Sequence, residues 1–282
     1  MKTAVIGASG QLGTDLCKAL GADAIALSHS DVEITDSNSV AATLHNIEAD
    51  VVINTAAYNK VDLAEDEPDV AFNANAVGPR NLAMVCHERN IPFCHLSTDF
   101  IFGATPNRKT PYTELDVPGP LGAYGISKLA GEYFVRAHTD LHYVIRTCGL
   151  YGHAGRTGNG NFVETMIRLG SERNSLSVVN DQFCTPTATR DLATAIVELI
   201  QTNAYGTYNI TNEGQTTWYD LAAKIFEVAN INVELNAITS DQFGANATRP
   251  LYSVLDNTKL ANTIGRRLPA WQDAVAEYIR SR

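Results

Sequence analysis

A chain of 282 residues is long enough to bury a substantial core, as one large domain or one domain with a smaller lobe. Apolar residues at 45% and charged residues at 18% are ordinary for a globular protein, and a formal net charge of -10 argues against a nucleic-acid or anionic-membrane surface, leaving room for a local basic pocket. No apolar run is long enough to span a bilayer and MKTAVIGASG carries no signal-peptide pattern, so a cytoplasmic protein with a small partner is expected.

The apolar run at residues 2–6 predicts a first strand, followed by Gly7-Ala8-Ser9-Gly10-Gln11-Leu12-Gly13 and a helix over 14–20. Strand, glycine turn and helix form the context in which backbone and helix N-terminus receive a pyrophosphate, here with the spacing G-x-x-G-x-x-G. A second strand at 23–27 runs into Ser28-His29-Ser30, neither acidic nor basic, so the choice between NADH and NADPH stays open. Glu33-Ile34-Thr35-Asp36 precede a helix over 37–46, for which Asp36 suits the N-cap. The third strand, 50–54, leads to Thr55-Ala56-Ala57, small residues that allow close passage of a ligand. A long helical region over 68–89 carries Asn75, read either as a solvated helix residue or as a structural one. A fourth strand at 91–96 ends in Ser97-Thr98-Asp99-Phe100, at the edge where open α/β sheets place their ligands.

A loop over 104–122 with four prolines leads to LGAYGISKLAGEYF at 121–134, which reads as a helix with Tyr124 and Lys128 on one face. A cation beside a phenol stabilises the phenolate, so a lowered Tyr124 pKa and a general acid or base are expected. The fifth strand, 142–146, ends in Thr147-Cys148-Gly149-Leu150-Tyr151. The glycine-rich stretch 152–160 reads as a flexible loop or a substrate lid, before Asn161-Phe162 and a helix over 164–169. A strand at 175–179 and DQFCTPT at 181–187 follow. A helix over 190–201 and a strand at 206–210 return to the sheet, and 218–228, Arg249-Pro250 and 270–280 build a second lobe. The five cysteines read as buried reduced thiols. His138 and His142 are separated by a helix end, so no metal site is expected.

Hydroxyl, phenol and lysine in this order downstream of a glycine turn resemble the extended short-chain dehydrogenase/reductases that act on nucleotide-sugars. STDFIFG, YGISKLAGE, RTCGLYG, GNGNF, DQFCTPT and RPLYSVLDNTKL resemble, within that branch, the dTDP-4-dehydrorhamnose reductases along nearly the whole chain. The resemblance implies an α/β fold, a Rossmann-type doubly wound parallel sheet with a smaller C-terminal substrate-binding lobe. Residues 1–150, with 188–210 returning, would form the first domain, and 151–187 with 211–282 the lobe. It implies NADPH or NADH as cofactor, a nucleotide-sugar as partner, and reduction of the C4 ketone of dTDP-4-dehydro-β-L-rhamnose; a homodimer remains open.

By the same resemblance Thr98, Tyr124 and Lys128 are catalytic. Gly7, Gly10, Gln11, Leu12, Gly13, Glu33, Ile34, Ala56, Ala57, Asn75, Ser97, Tyr124 and Lys128 face the cofactor. Thr98, Asp99, Phe100, Asn161, Phe162, Gln182 and Arg249 face the substrate, Arg249 as the cation for its diphosphate. Two positions depart from the pattern: Phe100 replaces the tyrosine of STDYVF, and Gly149 replaces the tryptophan of RTSWVY, a gap open to a bulkier sugar or to a neighbouring aromatic such as Tyr151. A reductase or epimerase of another nucleotide-sugar is one alternative. The other is a non-catalytic regulator like the methionine adenosyltransferase β subunit, against which the intact Thr98, Tyr124 and Lys128 argue.

Overall fold

Six parallel strands form the central sheet of the computed structural model, which describes residues 1–105, 107–156 and 160–282. They are β1 (Thr3–Ile6), β2 (Ala24–Leu27), β3 (Val51–Asn54), β4 (Phe93–Thr98), β5 (His142–Thr147) and an outer strand, Gly206–Asn209. The order is β2-β1-β3-β4-β5 with Gly206–Asn209 outermost, and every neighbouring pair is parallel. β1 and β3 are apolar but for Thr3 and Asn54 and are buried on both faces, as helices covering both sides of a parallel sheet require. The chain reverses its winding between β1 and β3, and that crevice at the carboxyl ends of the strands is where such sheets bind ligands.

The helices that matter for the site are α1 (Gln11–Leu20), α2 (Ser37–His45), α3 (Pro68–Phe72), α4 (Gly78–Glu88), α5 (Ala123–His138), α6 (Phe162–Glu172), α7 (Thr189–Leu199) and α8 (Trp218–Ala229). Leu12 and Leu16 of α1 pack with Leu192, Ile196 and Leu199 of α7 over one face of the sheet. Val40 and Leu44 of α2 and Leu82 and Val85 of α4 cover the other. Each such side chain, fully buried, contributes roughly 1.5–3 kcal/mol. A third core lies away from the sheet, where Val163 and Met166 of α6 meet Leu221, Ile225 and Phe226 of α8, with Trp271 and Val275. Strands Ser175–Val179 and Glu234–Ile238 pair in parallel beside it.

The helix expected over 68–89 is interrupted. Five residues, Asn73–Val77, form a π-helical turn between α3 and α4. Its cause is lateral packing against α5: a Cβ on Gly131 would lie 2.2 Å from the carbonyl oxygen of Asn75, so the two elements touch backbone to backbone. The proline-containing loop after β4 is pinned as well. Arg108 donates to both carboxylate oxygens of Asp116 at 2.6 and 3.0 Å, and Tyr112 stacks on Phe102 with centroids 4.0 Å apart.

Candidate active site

The glycine turn hugs the sheet. Gly7 has φ +80°, and its N–H donates to Leu27 O at 2.9 Å. A Cβ on Gly7 would lie 2.7 Å from Thr55 Oγ1, and one on Gly13 only 2.2 Å from Gly7 O. Gly10, the N-cap of α1, brings no side chain to the helix end, so the first-turn N–H groups of Gln11, Leu12 and Gly13 face outward with the positive end of the dipole. Main chain at close approach and free helix donors fit a dinucleotide pyrophosphate. The Leu12 side chain is in the core, so it serves such a site by its backbone.

Beside this cradle, Ala56 N–H donates to Asn54 Oδ1 at 3.1 Å, and Ala57 is exposed. The Glu33 carboxylate accepts from Thr35 N and Oγ1 at 2.9 and 2.7 Å, while Ile34 packs on Gly78. Asp36 is the N-cap of α2, accepting from Asn38 N. After β2 the Asp31 carboxylate accepts from Ser28 N and Oγ at 2.7 and 2.6 Å, which holds its pKa below the usual carboxylate range. Asn75 is fully buried and structural: it bonds Tyr58 N and O, each at 2.9 Å, and Ser127 Oγ at 3.0 Å.

Thr98, Tyr124 and Lys128 meet where β4 ends against α5. The helix starts there because Glu65 supplies the cap that Gly122 lacks, accepting from Ala123 N at 2.9 Å. Gly125 lets α5 approach, since a Cβ there would lie 2.3 Å from Phe100 O. Lys128 is buried and its ammonium donates to Leu96 O; burial draws its pKa down to about 8, with Glu132 opposing. Tyr124 sits edge-on to Phe100, centroids 5.6 Å apart.

The expected lowering of the Tyr124 pKa is corrected. Burial, joined by the negative charge of Asp99, pushes the phenol up to about 12, and the Thr98 hydroxyl opposes this only in part. Desolvation of the phenolate is the largest cause, and the Lys128 ammonium one helical turn away is directed at Leu96 O.

Asp99 is itself buried, which raises its pKa. Its oxygens accept from Thr98 Oγ1 at 3.1 Å and Ser253 Oγ at 2.5 Å, so it orients Thr98 rather than reaching outward. The Ser97 hydroxyl likewise turns inward, to Glu132 at 2.5 Å, and Glu132 holds Arg146 bidentately at 3.0 and 2.8 Å, all buried. Only the main chain of Ser97 is left for a ligand.

Toward the lobe, Asn161 caps α6, accepting from Glu164 N at 3.0 Å, and donates to Gln11 Oε1 at 2.9 Å. Gln182 donates to Ser240 Oγ at 2.9 Å. A cleft of about 760 Å³ runs between α6 and strand Ser175–Val179, lined by Phe162, Met166, Gln182, Trp218, Ile238 and Arg249 among others. Arg249, expected as the cation for a diphosphate, lies on this cleft. Its two terminal nitrogens bind the Asp62 carboxylate at 3.0 and 2.7 Å, an ion pair with which a ligand phosphate would compete. Gly158 and Asn159 of GNGNF, and part of the 152–160 stretch read as loop or lid, lie outside the described residues.

Ser253, Glu65 and Trp218 stand at the site although no local pattern marks them: each is brought there by packing between distant segments. Among the described residues no group of three or more His, Cys, Asp or Glu is placed to hold a metal, and the five cysteines are free thiols. Among the described residues no helix is long and apolar enough to cross a membrane.

Sheet order, glycine turn and the Tyr-Lys helix define an NAD(P)-dependent oxidoreductase of the extended short-chain dehydrogenase/reductase type. Within that class, the chain belongs to the RmlD substrate binding domain family, whose model matches residues 1–282. It is 38% identical to a dTDP-4-dehydrorhamnose reductase of Mycolicibacterium smegmatis, over 98% of this chain and 84% of that one. It is 36% identical to the spore coat polysaccharide biosynthesis protein SpsK of Bacillus subtilis, over 100% and 98%. The crystal structure of dTDP-4-dehydrorhamnose reductase from Bacillus anthracis in complex with NADP superposes with a TM-score of 0.94 at 36% identity, each chain covered in full.

Proposed function

We propose that this protein reduces the C4 ketone of a nucleotide-linked 4-keto-6-deoxy sugar, dTDP-4-dehydro-β-L-rhamnose, to give dTDP-L-rhamnose. The observation that carries the reading is the convergence of Thr98, Tyr124 and buried Lys128 beside the β1–β3 crevice, in a chain matched end to end by reductases of this name. When bound, NADPH or NADH supplies the hydride. The protein's part is to seat the cofactor on the Gly7–Gly13 turn, to hold the ketone oxygen at Thr98 once that hydroxyl turns from Asp99 toward it, and to give it a proton from Tyr124.

A phenol held near 12 is fully protonated at neutral pH, which is the form a reduction consumes. It remains a competent donor, because an alkoxide is a far stronger base than a phenolate. Ala56, Ala57 and the main chain at Ser97 flank the cofactor in this reading. Phe100, Phe162, Gln182 and the paired Arg249 wall the sugar-nucleotide, while Asp99 and Asn161 act by positioning Thr98 and α6. The separate apolar core of the lobe supports a division into 1–150 with 188–210, and 151–187 with 211–282, although Leu260 and Leu268 pack into the sheet-side core. We also place the protein in the cytoplasm as a homodimer, supported for assembly by the exposed Val70, Phe72, Ile126 and Tyr133; a monomeric mass by light scattering removes the dimer.

The test offers NADPH with a panel of dTDP-, GDP- and UDP-linked 4-keto sugars and follows loss of nicotinamide absorbance. Turnover of the dTDP-linked precursor is expected. Turnover of another sugar alone keeps the reductase and discards this substrate, and cofactor binding without any turnover favours a regulatory role.

A further inference from the structure

Gly149 follows β5 with φ +53°, and a side chain there would begin 3.2 Å from Pro186 Cα and 3.3 Å from Cη2 of Trp218. A left-handed backbone and this contact together reserve the position for glycine. What lies over the turn is the Trp218 indole, arriving from the first residue of α8. Tyr151, the aromatic nearer in sequence, is 1% exposed and packs edge-on against Tyr278 at 5.3 Å in the lobe core.

Trp218 is half-buried, and Phe162 at 4.8 Å and 52° fixes its plane. It lines two spaces at once: a narrow recess with Asp99, Phe100 and Ser253, and the 760 Å³ cleft along α6. The indole therefore stands where the recess opens into the cleft. A sugar-nucleotide that keeps its nucleotide in the cleft and reaches toward Thr98 and Tyr124 brings its pyranose past the indole, where the recess, at about 10 Å³, has to widen to admit a ring. A deoxy-pyranose presents a face of C–H bonds and a methyl group, which an indole receives well and a charged or amide wall does not.

We infer that Trp218 is the specificity-determining residue of the site, the flat wall on which the apolar face of the sugar ring rests. This rests on the reductase reading and adds the residue that selects the ring. A hydroxyl directed at the indole would lose hydration without gaining a partner, so sugars carrying one on that face are rejected.

The test is binding of dTDP-L-rhamnose and of dTDP to the NADP⁺-loaded protein by calorimetry, with intrinsic fluorescence alongside. The chain has two tryptophans, and the other, Trp271, is buried, so a quench caused by the sugar and absent in Trp218→Phe reports this contact. Trp218→Ala is expected to weaken dTDP-L-rhamnose about tenfold while moving dTDP less than about twofold, with Trp218→Phe recovering most of the loss. The KM for the keto-sugar should rise by a similar factor with little change in kcat. If Trp218→Ala lowers Tm, Trp218→Leu keeps bulk without the aromatic face, and the same ratio is read from it. Equal weakening of dTDP and the sugar-nucleotide, or of neither, overturns the inference. Failure of the wild-type protein to bind or turn over any keto-sugar is seen before any variant is made, and condemns the reductase reading instead.

Discussion

Burial favours the neutral form of both ionisable groups on the active face of α5. It pushes the Tyr124 phenol up to about 12 and draws the Lys128 ammonium down to about 8. For Lys128 this has a consequence for stability that can be signed. Its folded-state pKa lies below the ordinary value, so between pH 8 and about 10.4 the unfolded chain holds a proton that the folded chain has released. Stability from this group therefore rises with pH across that window, by roughly 3 kcal/mol at most, and is flat below pH 8, where both states are protonated. Lys128→Met removes the titration. Urea unfolding at pH 7 and pH 9.5 should show wild type gaining on the variant at the higher pH. Parallel behaviour of the two proteins over that interval would mean Lys128 is not desolvated as described.

The glycine turn carries the argument among elements. Gly10 and Gly13 look alike in sequence but differ in space: a methyl group at Gly13 would lie 2.2 Å from Gly7 O, one at Gly10 3.2 Å from the same atom. Gly13→Ala must push the start of α1 off β1, with an expected cost of about 1–3 kcal/mol and a clear loss of NADPH affinity. Gly10→Ala should be milder on both counts; thermal unfolding and a fluorescence titration rank them, and equal effects would refute the packing account. Strands β1 to β5 and this turn were legible because an apolar run and a glycine spacing are local signals. The π-helical break at Asn73–Val77 was not, since its cause is Gly131 on another helix. Spacing likewise put Tyr124 and Lys128 on one face but could not say that burial would outweigh their pairing. The Asp62 partner of Arg249 and the Trp218 cover on Gly149 are contacts between distant segments, which no single-sequence pattern encodes.

For the molecule as a whole, the question is how the cofactor turn and the substrate lobe sense each other. Among the described residues Gln11 joins them: its Oε1 accepts from Gly152 N at 3.0 Å and from Asn161 Nδ2 at 2.9 Å. Gln11 opens α1, beneath the site assigned to the pyrophosphate, and Asn161 caps α6, which walls the cleft. A ligand that orders the turn thus also orders the start of α6, and linkage requires the effect to be reciprocal. NADP⁺ is expected to tighten binding of dTDP-L-rhamnose by about fivefold or more, the lower end of ordinary coupling energies. Gln11→Ala should remove most of that factor while leaving the affinity of the cofactor-free protein for the sugar-nucleotide nearly unchanged, because Gln11 is not among the residues that line the cleft. Calorimetry with and without NADP⁺, on wild type and variant, measures all four affinities. A coupling factor that survives Gln11→Ala intact would place the communication elsewhere, and a wild-type factor of one would mean that turn and lobe bind their ligands independently.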